Sequence, residues 1–295
     1  MRGKREQTLP DAATVFILGH EALLRIECAL KQHLPLAPTP DLIFNEALQD
    51  AVFPGGKRFR PALALLASDL VLADEEDALK AAVAVEYLHC SALIFDDLPA
   101  MDDAMERRRH PCLHLRYGEG LAITVALALM NGAYRLVVGG MRRDASTHRA
   151  LAEMTRCVGD QIIGQAADLS PSSTRPSSES PCDGSVHHWK TSALLHLALA
   201  LGPILSGAKS SDVTALGRFG QLLGEAYQTI DDSQDVDEDS VLLRRGRDKT
   251  FAMEHGHDAA RERADALKAE AQCVLIAQFG DSAAVHRLCE FARSF

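Results

Sequence analysis

Apolar positions recur at helical spacing through most of the 295-residue sequence, whereas stretches that alternate strictly between apolar and polar residues are scarce. This pattern predicts an all-α protein, a single-domain bundle of about ten or more helices over residues 1–295. The predicted helices cover residues 12–33, 41–51, 60–72, 76–95, 103–109, 119–139, 147–167, 191–206, 212–234, 258–279 and 282–293.

Local signals mark several boundaries of these helices. Asp74 precedes an acidic first turn, which suits the positive end of a helix dipole and predicts a helix start there. Gly280 followed by Asp281 and Ser282 predicts the end of one helix and the start of the next. Proline, serine and glycine are enriched around residues 170–187, which predicts a flexible internal loop within the domain.

Composition and charge narrow the function classes. Hydrophobic residues make up 47% of the chain and the formal net charge is −10, so a globular core is expected and broad nucleic-acid binding is excluded. The seven cysteines form no CxxC pair, which argues against a disulfide framework and predicts a reducing, cytoplasmic setting. The apolar stretch that follows the basic start, residues 15–18, is too short for a secretory core, so no signal peptide is expected. The apolar runs at 121–130 and 193–205 are shorter than the roughly 20 residues of a spanning helix, so stable membrane insertion is not expected either.

Two dense aspartate clusters are the first candidate chemistry. Asp96, Asp97, Asp102 and Asp103 form one, and Asp231, Asp232 and Asp235 form the other. Each follows an apolar helical stretch, at the helix end where the dipole disfavours negative charge. Acidic runs are usually solvated surfaces, but this placement favours a divalent cation, and Mg²⁺ leaves coordination positions open for a phosphate. Pro99 must break the helix between Asp96 and Asp102, which can return the two carboxylates to each other.

Basic residues near these clusters indicate an anionic substrate. The segment GGKRFRP at 55–61 places Lys57 and Arg60 at a predicted helix start, where a bound anion would offset their charge. Arg107 and Arg108 follow the first aspartate cluster and suit phosphate geometry. His89 lies two turns before Asp96 on a similar face and is either a ligand or an ordinary core histidine.

The order of these motifs resembles the trans-isoprenyl diphosphate synthases, the polyprenyl synthetase family that includes farnesyl and geranylgeranyl diphosphate synthases. The resemblance covers about residues 41–255 and rests on GGKRFRP, EYLHCSALIFDDLPAMDD, the following RR, GQAAD at 164–168, KTSAL at 190–194, EAYQTIDDSQD and DKTF at 248–251. It implies the isoprenoid synthase type of fold, with helices around a deep central cavity, and a homodimer.

The resemblance also implies the roles of individual residues. It implies three Mg²⁺ ions on the allylic diphosphate, held by Asp96, Asp102 and Asp231 with support from Asp97, Asp168 and Asp235. The same diphosphate would contact Arg107, Lys190, Thr191, Gln228 and Lys249, of which Arg107 and Lys190 are placed with the catalytic aspartates. Isopentenyl diphosphate would bind Lys57, Arg60, His89 and Arg108.

Product length follows from the side chains on the helix that ends near Asp96. Ser91 is small where farnesyl-producing bacterial relatives usually have an aromatic residue, which predicts a longer product, geranylgeranyl diphosphate. Tyr87 and Leu88, a turn further along, are the predicted stops. The alternatives are a farnesyl diphosphate synthase or a non-catalytic regulatory subunit of a heteromeric synthase. A terpene cyclase is a further alternative, although it would have no second diphosphate for Lys57 and Arg60 to hold.

The chain departs from the family pattern at several positions. The stretch after DDSQDV is compressed and lacks a lysine, for which Arg244 or Arg245 could substitute. Arg109 and His110 replace a glycine and a lysine, and Ser192 replaces the glycine of KTG. These changes bear on catalytic efficiency more than on reaction class.

Overall fold

The computed structural model describes residues 18–39, 42–53, 55–139, 145–169, 185–234 and 255–293. Within these ranges there are eleven helices: α1 His20–His33, α2 Ile43–Val52, α3 Phe59–Leu70, α4 Glu75–Asp96, α5 Leu113–Tyr117, α6 Glu119–Val138, α7 Ala145–Leu169, α8 Ser185–Leu205, α9 Ser210–Gln234, α10 His257–Phe279 and α11 Ala283–Arg293. A two-stranded antiparallel hairpin, β1 Glu106–Arg107 and β2 His110–Pro111, lies between α4 and α5. The predicted all-α fold is confirmed.

Helix α4 lies in the centre of the bundle. Most of its side chains are buried, and it packs against α3, α6 and α8. The Asp74 side chain caps its start by accepting a hydrogen bond from the Glu76 amide at 2.9 Å, as the acidic first turn predicted. Because α4 is fixed by neighbours on several sides, it sets the position of Asp96 at its last turn.

Helices α8 and α9 approach unusually closely. A Cβ at Gly224 would lie 2.4 Å from Ser192 Oγ, and one at Gly220 would lie 2.7 Å from the Leu195 carbonyl oxygen. Glycine on one face of α9 therefore lets the two backbones approach each other directly. Ser192 is accommodated because its neighbour on α9, Gly224, has no side chain.

The buried apolar side chains form one cluster to which all eleven helices contribute. Helices α4 and α6 are long and apolar enough to span a membrane by length and composition. In the folded chain 67% of the apolar window of α4 is buried, against 44% for α6. The apolar residues of α4 are thus accounted for by the core, whereas α6 also presents Ile123, Leu127 and Val138 at the surface.

The prediction of a helix at 103–109 is wrong. The chain forms the β1–β2 hairpin there, and Asp103, Arg108 and Arg109 adopt positive φ angles of 52°, 54° and 64°. This stretch has no apolar face to bury, so helical propensity is not reinforced by packing. The short helix α5 was not predicted, and α8 begins at Ser185, six residues before the predicted start. The break at Gly280 and the new start at Ser282 are confirmed.

Candidate active site

The first aspartate cluster forms a tight turn at the end of α4. Asp96 is the last residue of the helix, and the amide of Asp102 donates a hydrogen bond of 2.9 Å to the Asp96 carbonyl oxygen. The amide of Asp103 likewise donates to the Leu98 carbonyl oxygen at 3.1 Å. The turn that contains Pro99 therefore brings Asp102 back beside Asp96, as expected from the proline break. Asp96 is half-buried and Asp102 is exposed, so both can face a ligand at the helix end.

Asp97 and Arg107 are paired. Asp97 is only 5% exposed, and its Oδ1 accepts hydrogen bonds from Nε of Arg107 at 2.9 Å and from Nη2 at 2.5 Å. The hydrogen bond to Asp97 is the main reason that the pKa of Arg107 is raised. The contact holds the hairpin against the end of α4. It also joins two residues to which the sequence assigned separate roles, metal support and diphosphate binding.

The next residue of the hairpin, Arg108, faces a different part of the chain. A Cβ at Gly56 would lie 2.8 Å from Nη2 of Arg108, so a larger residue at this position would require the arginine side chain to move. The loop before α3 is therefore in contact with the hairpin. Consecutive arginines reach two sides of the site, with Arg107 at the aspartate turn and Arg108 at the glycine loop.

Three basic residues, Arg60, His89 and Arg108, form a cation cluster beside this loop. Nη1 of Arg60 is 3.3 Å from Nε2 of His89, and Nε of Arg60 is buried without a hydrogen-bond partner among the described residues. Because arginine can only donate, His89 accepts through Nε2 and is neutral in this contact. Burial, followed by the charges of Arg60 and Arg108, holds the pKa of His89 well below its usual range. Burial also lowers the pKa of Arg60, so a bound anion would relieve an existing electrostatic cost.

The other two basic residues of GGKRFRP, Lys57 and Arg58, lie in environments that differ from that of Arg60. Arg58 is buried, with Nε 2.6 Å from Glu27 and Nη1 2.6 Å from Glu86, and these two acids outweigh the cost of burial and raise its pKa. Its role is to fix the loop before α3, where it adopts a φ of 53°. Lys57 is exposed. The sequence signal for the Arg58 contact is Glu86, an acid within the apolar part of α4.

The residues predicted to set product length share one face of α4, because they are three and four positions apart. Ser91 is fully buried, and its hydroxyl has no hydrogen-bond partner among the described residues. Leu88 is 3% exposed, and Tyr87 is fully buried with its hydroxyl donating to the Leu30 carbonyl oxygen at 2.7 Å. The small side chain is nearest to Asp96, and the larger ones lie deeper in the bundle.

The second aspartate cluster begins in the last turn of α9, which contains Asp231 and Asp232. Asp231 and Gln228 are half-buried. Tyr227 and Ile230, just before Asp231, line a cavity of about 50 Å³ together with Arg60. The other residues that line this cavity are Phe59, Leu195, Leu223, Lys268 and Ala292. A second cavity, of about 60 Å³, contains Asp97, Arg107 and Arg108 in its lining. Arg60 thus lines a cavity beside α9, while Arg107 and Arg108 line a cavity beside the end of α4.

Several predicted residues lie partly or wholly outside the described part of the chain. Asp235 and Lys249 are outside it, and the side chains of Asp168, Lys190 and Thr191 are not described. The helices that present these three residues are described, and α7 and α8 pack along each other. Their predicted roles remain predictions.

Gln165 was not assigned a role from the sequence. Its Nε2 lies 3.8 Å from the sulfur of Met101, and its Oε1 is buried without a partner among the described residues. This contact brings Gln165, near the end of α7, to the turn between Asp96 and Asp102. The sequence signal for Gln165 is its place in the GQAAD segment, in which only the aspartate has a predicted role.

Comparison with known proteins gives consistent similarities in sequence. The polyprenyl synthetase family model matches residues 41–250. Geranylgeranyl pyrophosphate synthase 10, mitochondrial, of Arabidopsis thaliana is 34% identical over 256 residues, which cover 83% of this chain and 74% of the relative. Geranylgeranyl pyrophosphate synthase 11, chloroplastic, of the same plant is 34% identical over 272 residues, which cover 88% and 76% of the two chains.

Solved structures show the same architecture. An FPP/GFPP synthase from Zymomonas mobilis superimposes with a TM-score of 0.79 at 26% identity, covering 96% of this chain and 98% of the other. A geranyltransferase from Legionella pneumophila gives a TM-score of 0.80 at 26% identity, covering 96% and 95%. This chain therefore shares its helical bundle with these solved structures.

Proposed function

Because this chain belongs to the polyprenyl synthetase family, we propose that it condenses isopentenyl diphosphate with allylic diphosphates and releases geranylgeranyl diphosphate. The observation that supports this most directly is the division of the hairpin arginines, with Arg107 on Asp97 and Arg108 on Gly56. One rigid hairpin thereby joins an acidic turn to a cluster of cations. Two diphosphates held side by side are what a head-to-tail condensation needs.

The allylic diphosphate would lie at the two aspartate clusters. The carboxylates of Asp96, Asp102 and Asp231 suit Mg²⁺, because they are hard oxygen donors and the backbone hydrogen bond brings Asp102 beside Asp96. We propose three ions there, supported by Asp97, Asp168 and Asp235. When bound, Mg²⁺ supplies positive charge that stabilises the departing diphosphate. Protein contacts to the same group would come from Arg107, Lys190, Thr191, Gln228 and Lys249.

Isopentenyl diphosphate would lie on the cation cluster, held by Lys57, Arg60, His89 and Arg108. The buried Nε of Arg60 offers an unused donor, and an anion there would balance charges that now repel one another. No metal is needed at this end, because the described side chains that meet there are mainly basic.

The reaction would then proceed in three steps. The carbon–oxygen bond of the allylic substrate breaks, and both of its electrons leave with the diphosphate, producing an allylic cation. The double bond of isopentenyl diphosphate supplies the electron pair of the new carbon–carbon bond. A proton then leaves the condensed product for the departed diphosphate, which restores a double bond. Buried apolar side chains along α4, such as Ile94, exclude water from the cation.

Product length is assigned from Ser91. A fully buried serine one turn from the aspartates leaves room for the growing chain to pass, and Tyr87 and Leu88 then close the path. The two curated relatives described above are named as geranylgeranyl synthases. The two solved structures carry the names of an FPP/GFPP synthase and a geranyltransferase, so a farnesyl product is the outcome that a test must distinguish.

The test is product analysis with the purified chain, Mg²⁺, isopentenyl diphosphate and dimethylallyl diphosphate. The expected product is geranylgeranyl diphosphate, and turnover should disappear when Mg²⁺ is chelated. A farnesyl product alone would overturn the chain-length assignment. Absence of any product with dimethylallyl, geranyl or farnesyl starters would overturn the catalytic assignment and favour a regulatory subunit. Asp102→Asn, whose backbone hydrogen bond can persist, serves as the matched inactive variant.

We further propose that the chain is a cytoplasmic homodimer. The surface of α6 supports dimerisation, because Ile123, Leu127 and Val138 are 37%, 53% and 56% exposed on one face of an apolar helix. Light scattering should give twice the chain mass of 32.0 kDa, and Leu127→Glu should lower it toward the monomer value. The free cysteines among the described residues are consistent with a reducing compartment, which cell fractionation can test.

A further inference from the structure

A second cluster of metal-ligating side chains lies between α7 and α8, away from the aspartates. It consists of Glu153 and Cys157, one turn apart on α7, and His196 on α8. One ligand atom from each residue lies within 4.8 Å of the others. The cluster is about 9 Å along α8 from Lys190 and about 16 to 22 Å along α7 from Asp168, at the helical rise per residue. It is therefore separate from the proposed diphosphate site.

We propose that Glu153, Cys157 and His196 form a second metal site, for a borderline transition-metal ion such as Zn²⁺. A set of one carboxylate oxygen, one thiol sulfur and one imidazole nitrogen is unsuited to Mg²⁺, which prefers oxygen alone, and suits zinc. Three protein ligands would leave a fourth position for water.

The distances fit a tetrahedral ion with a small adjustment. Sγ of Cys157 is 3.7 Å from Oε1 of Glu153, close to the ligand–ligand spacing of about 3.3–3.7 Å around zinc. Nε2 of His196 is 2.5 Å from the same oxygen, so an ion must open this edge by roughly 1 Å. The carboxylate can rotate to do so. Cys157 is buried and its pKa is raised to about 12, mainly by burial, so binding would displace the thiol proton.

The neighbours of the cluster hold the histidine ring toward α7. A Cβ at Gly217 would lie 2.3 Å from Cε1 of His196, so α9 supports the ring directly from behind. Nδ1 of His196 is buried and has no hydrogen-bond partner among the described residues. The ring can therefore carry its proton on Nδ1 while Nε2 coordinates the ion. Without a second hydrogen bond to fix that tautomer, we expect moderate rather than very high metal affinity.

Arg156 is the group that competes with an ion. Its Nη2 is 2.5 Å from Glu153, and its Nη1 is 2.7 Å from Asp160. Because Asp160 lies one turn further along α7, Arg156 can keep that partner when Glu153 turns to the metal. In the metal-free protein Glu153 instead accepts hydrogen bonds from His196 and Arg156. These contacts, the one with His196 contributing most, lower the pKa of Glu153 to about 2.

The test uses Co²⁺ as a spectroscopic substitute for zinc on chelator-treated full-length protein. Coordination through Cys157 should produce a thiolate-to-cobalt charge-transfer band that excess Mg²⁺ does not remove and that Zn²⁺ abolishes by displacement. Cys157→Ser should eliminate the band, and His196→Ala should weaken Co²⁺ binding at least about tenfold. Cys273→Ser, which alters an exposed cysteine, is the matched control and should leave the band unchanged.

Thermal unfolding provides a second readout. Zn²⁺ should raise the melting temperature of the wild-type protein and of Cys273→Ser, but not that of Cys157→Ser, because an ion that bridges α7 and α8 stabilises only the folded state. A charge-transfer band that persists in Cys157→Ser, or no band at saturating Co²⁺ in a folded protein, would overturn the site. The Glu153–His196 contact would then be an ordinary hydrogen-bonded pair. Neither result depends on the prenyl-transfer assay.

Discussion

The guanidinium of Arg107 donates two hydrogen bonds to a single carboxylate oxygen of Asp97, and the two residues differ greatly in exposure. The side chain of Asp97 is 7% exposed, whereas that of Arg107 is 40% exposed. Water can therefore solvate the arginine if the pair is broken, but it cannot readily solvate the aspartate. Removal of Arg107 and removal of Asp97 should therefore lower the free energy of unfolding by different amounts.

We expect Arg107→Gln to lower the free energy of unfolding by about 2 kcal/mol, since it leaves a buried carboxylate with weaker donors, and Asp97→Asn by about 1 kcal/mol. Denaturant unfolding of both single variants and of the double variant would measure this. The double variant should lose less than the sum of the single losses. Strict additivity would show that the pair does not stabilise the hairpin.

Arg60 should act on one substrate only. Arg60→Gln removes the cation beside His89 and should raise the KM for isopentenyl diphosphate by about 10- to 100-fold, the effect of a lost charge-assisted hydrogen bond. The KM for the allylic substrate should change little. Arg109→Gln, in the exposed turn of the β1–β2 hairpin, is the control and should leave both constants near wild type. Equal increases for both substrates would contradict the assignment of Arg60.

His89 should link isopentenyl diphosphate binding to pH. Its pKa in the free protein is held well below the usual value by burial, then by Arg60 and Arg108, and a bound diphosphate would offset those charges and raise it. Binding should therefore take up a proton, and affinity should improve as pH falls through the usual histidine pKa of about 6.5. Calorimetry in buffers of different ionisation enthalpy measures the uptake.

His89→Gln is the control for the histidine, because diphosphate itself titrates in the same interval. The variant should retain the part of the pH dependence that belongs to the substrate and lose the remainder. Identical proton uptake in the variant and the wild-type protein would exclude His89 from the linkage. The same depressed pKa predicts that the ligand-free protein loses stability as pH falls below about 6.5, since the unfolded chain then binds the proton more readily.

Ser91 should control product length. Ser91→Phe should shorten the product from twenty carbons to fifteen by blocking the path beside α4, as chromatographic product analysis would show. Ser91→Ala is the matched control, because it keeps the space and removes a buried hydroxyl without a partner in the described structure. It should keep the long product and unfold at equal or higher denaturant concentration. An unchanged product in a folded Ser91→Phe protein would contradict the prediction.

Gly224 should be needed for the close packing of α8 against α9. Gly224→Ala would place Cβ 2.4 Å from Oγ of Ser192 and 2.5 Å from its Cα, and we expect a loss of about 1–3 kcal/mol. Ser192→Gly should restore only part of this loss, because the new methyl group would still clash with the backbone of α8. Gly159→Ala on α7, where a Cβ meets nothing within 4 Å, is the control and should be neutral or stabilising in thermal unfolding.

The sequence predicted those features that depend on neighbouring residues. The start of α4 was visible because the Asp74 cap and the acidic first turn act within a few positions. The return of Asp102 to Asp96 was foreseen because Pro99 lies between them. In both cases the interacting residues are fewer than two helical turns apart in the sequence, so local propensity and residue spacing are enough to predict the contact.

Contacts across long stretches of chain were not predictable in the same way. Arg58 pairs with Glu27 and Glu86, which are 31 and 28 positions away. The three residues lie in different elements, so no helical spacing relates them in the sequence. His196 reaches Glu153 over 43 positions. The hairpin at 106–111 replaces a predicted helix even though alanine, methionine, glutamate and arginine are good helix formers. The stretch has no apolar face to bury, and the Asp97–Arg107 pair, ten positions apart, holds it against the end of α4.

The hydrogen bond from Tyr87 to the Leu30 carbonyl oxygen separates two ways in which product length can change. Tyr87 is tied to α1 at 2.7 Å, and it lies against α6, where a Cβ at Gly132 would meet its ring at 3.5 Å. Its replacement would leave a buried carbonyl of α1 without its donor and open a gap among three helices. The hydroxyl of Ser91 makes no such bond to any residue that the structure describes. Variation between short and long products is thus accessible through single substitutions at 91, whereas variation at 87 requires compensating changes in α1 and α6.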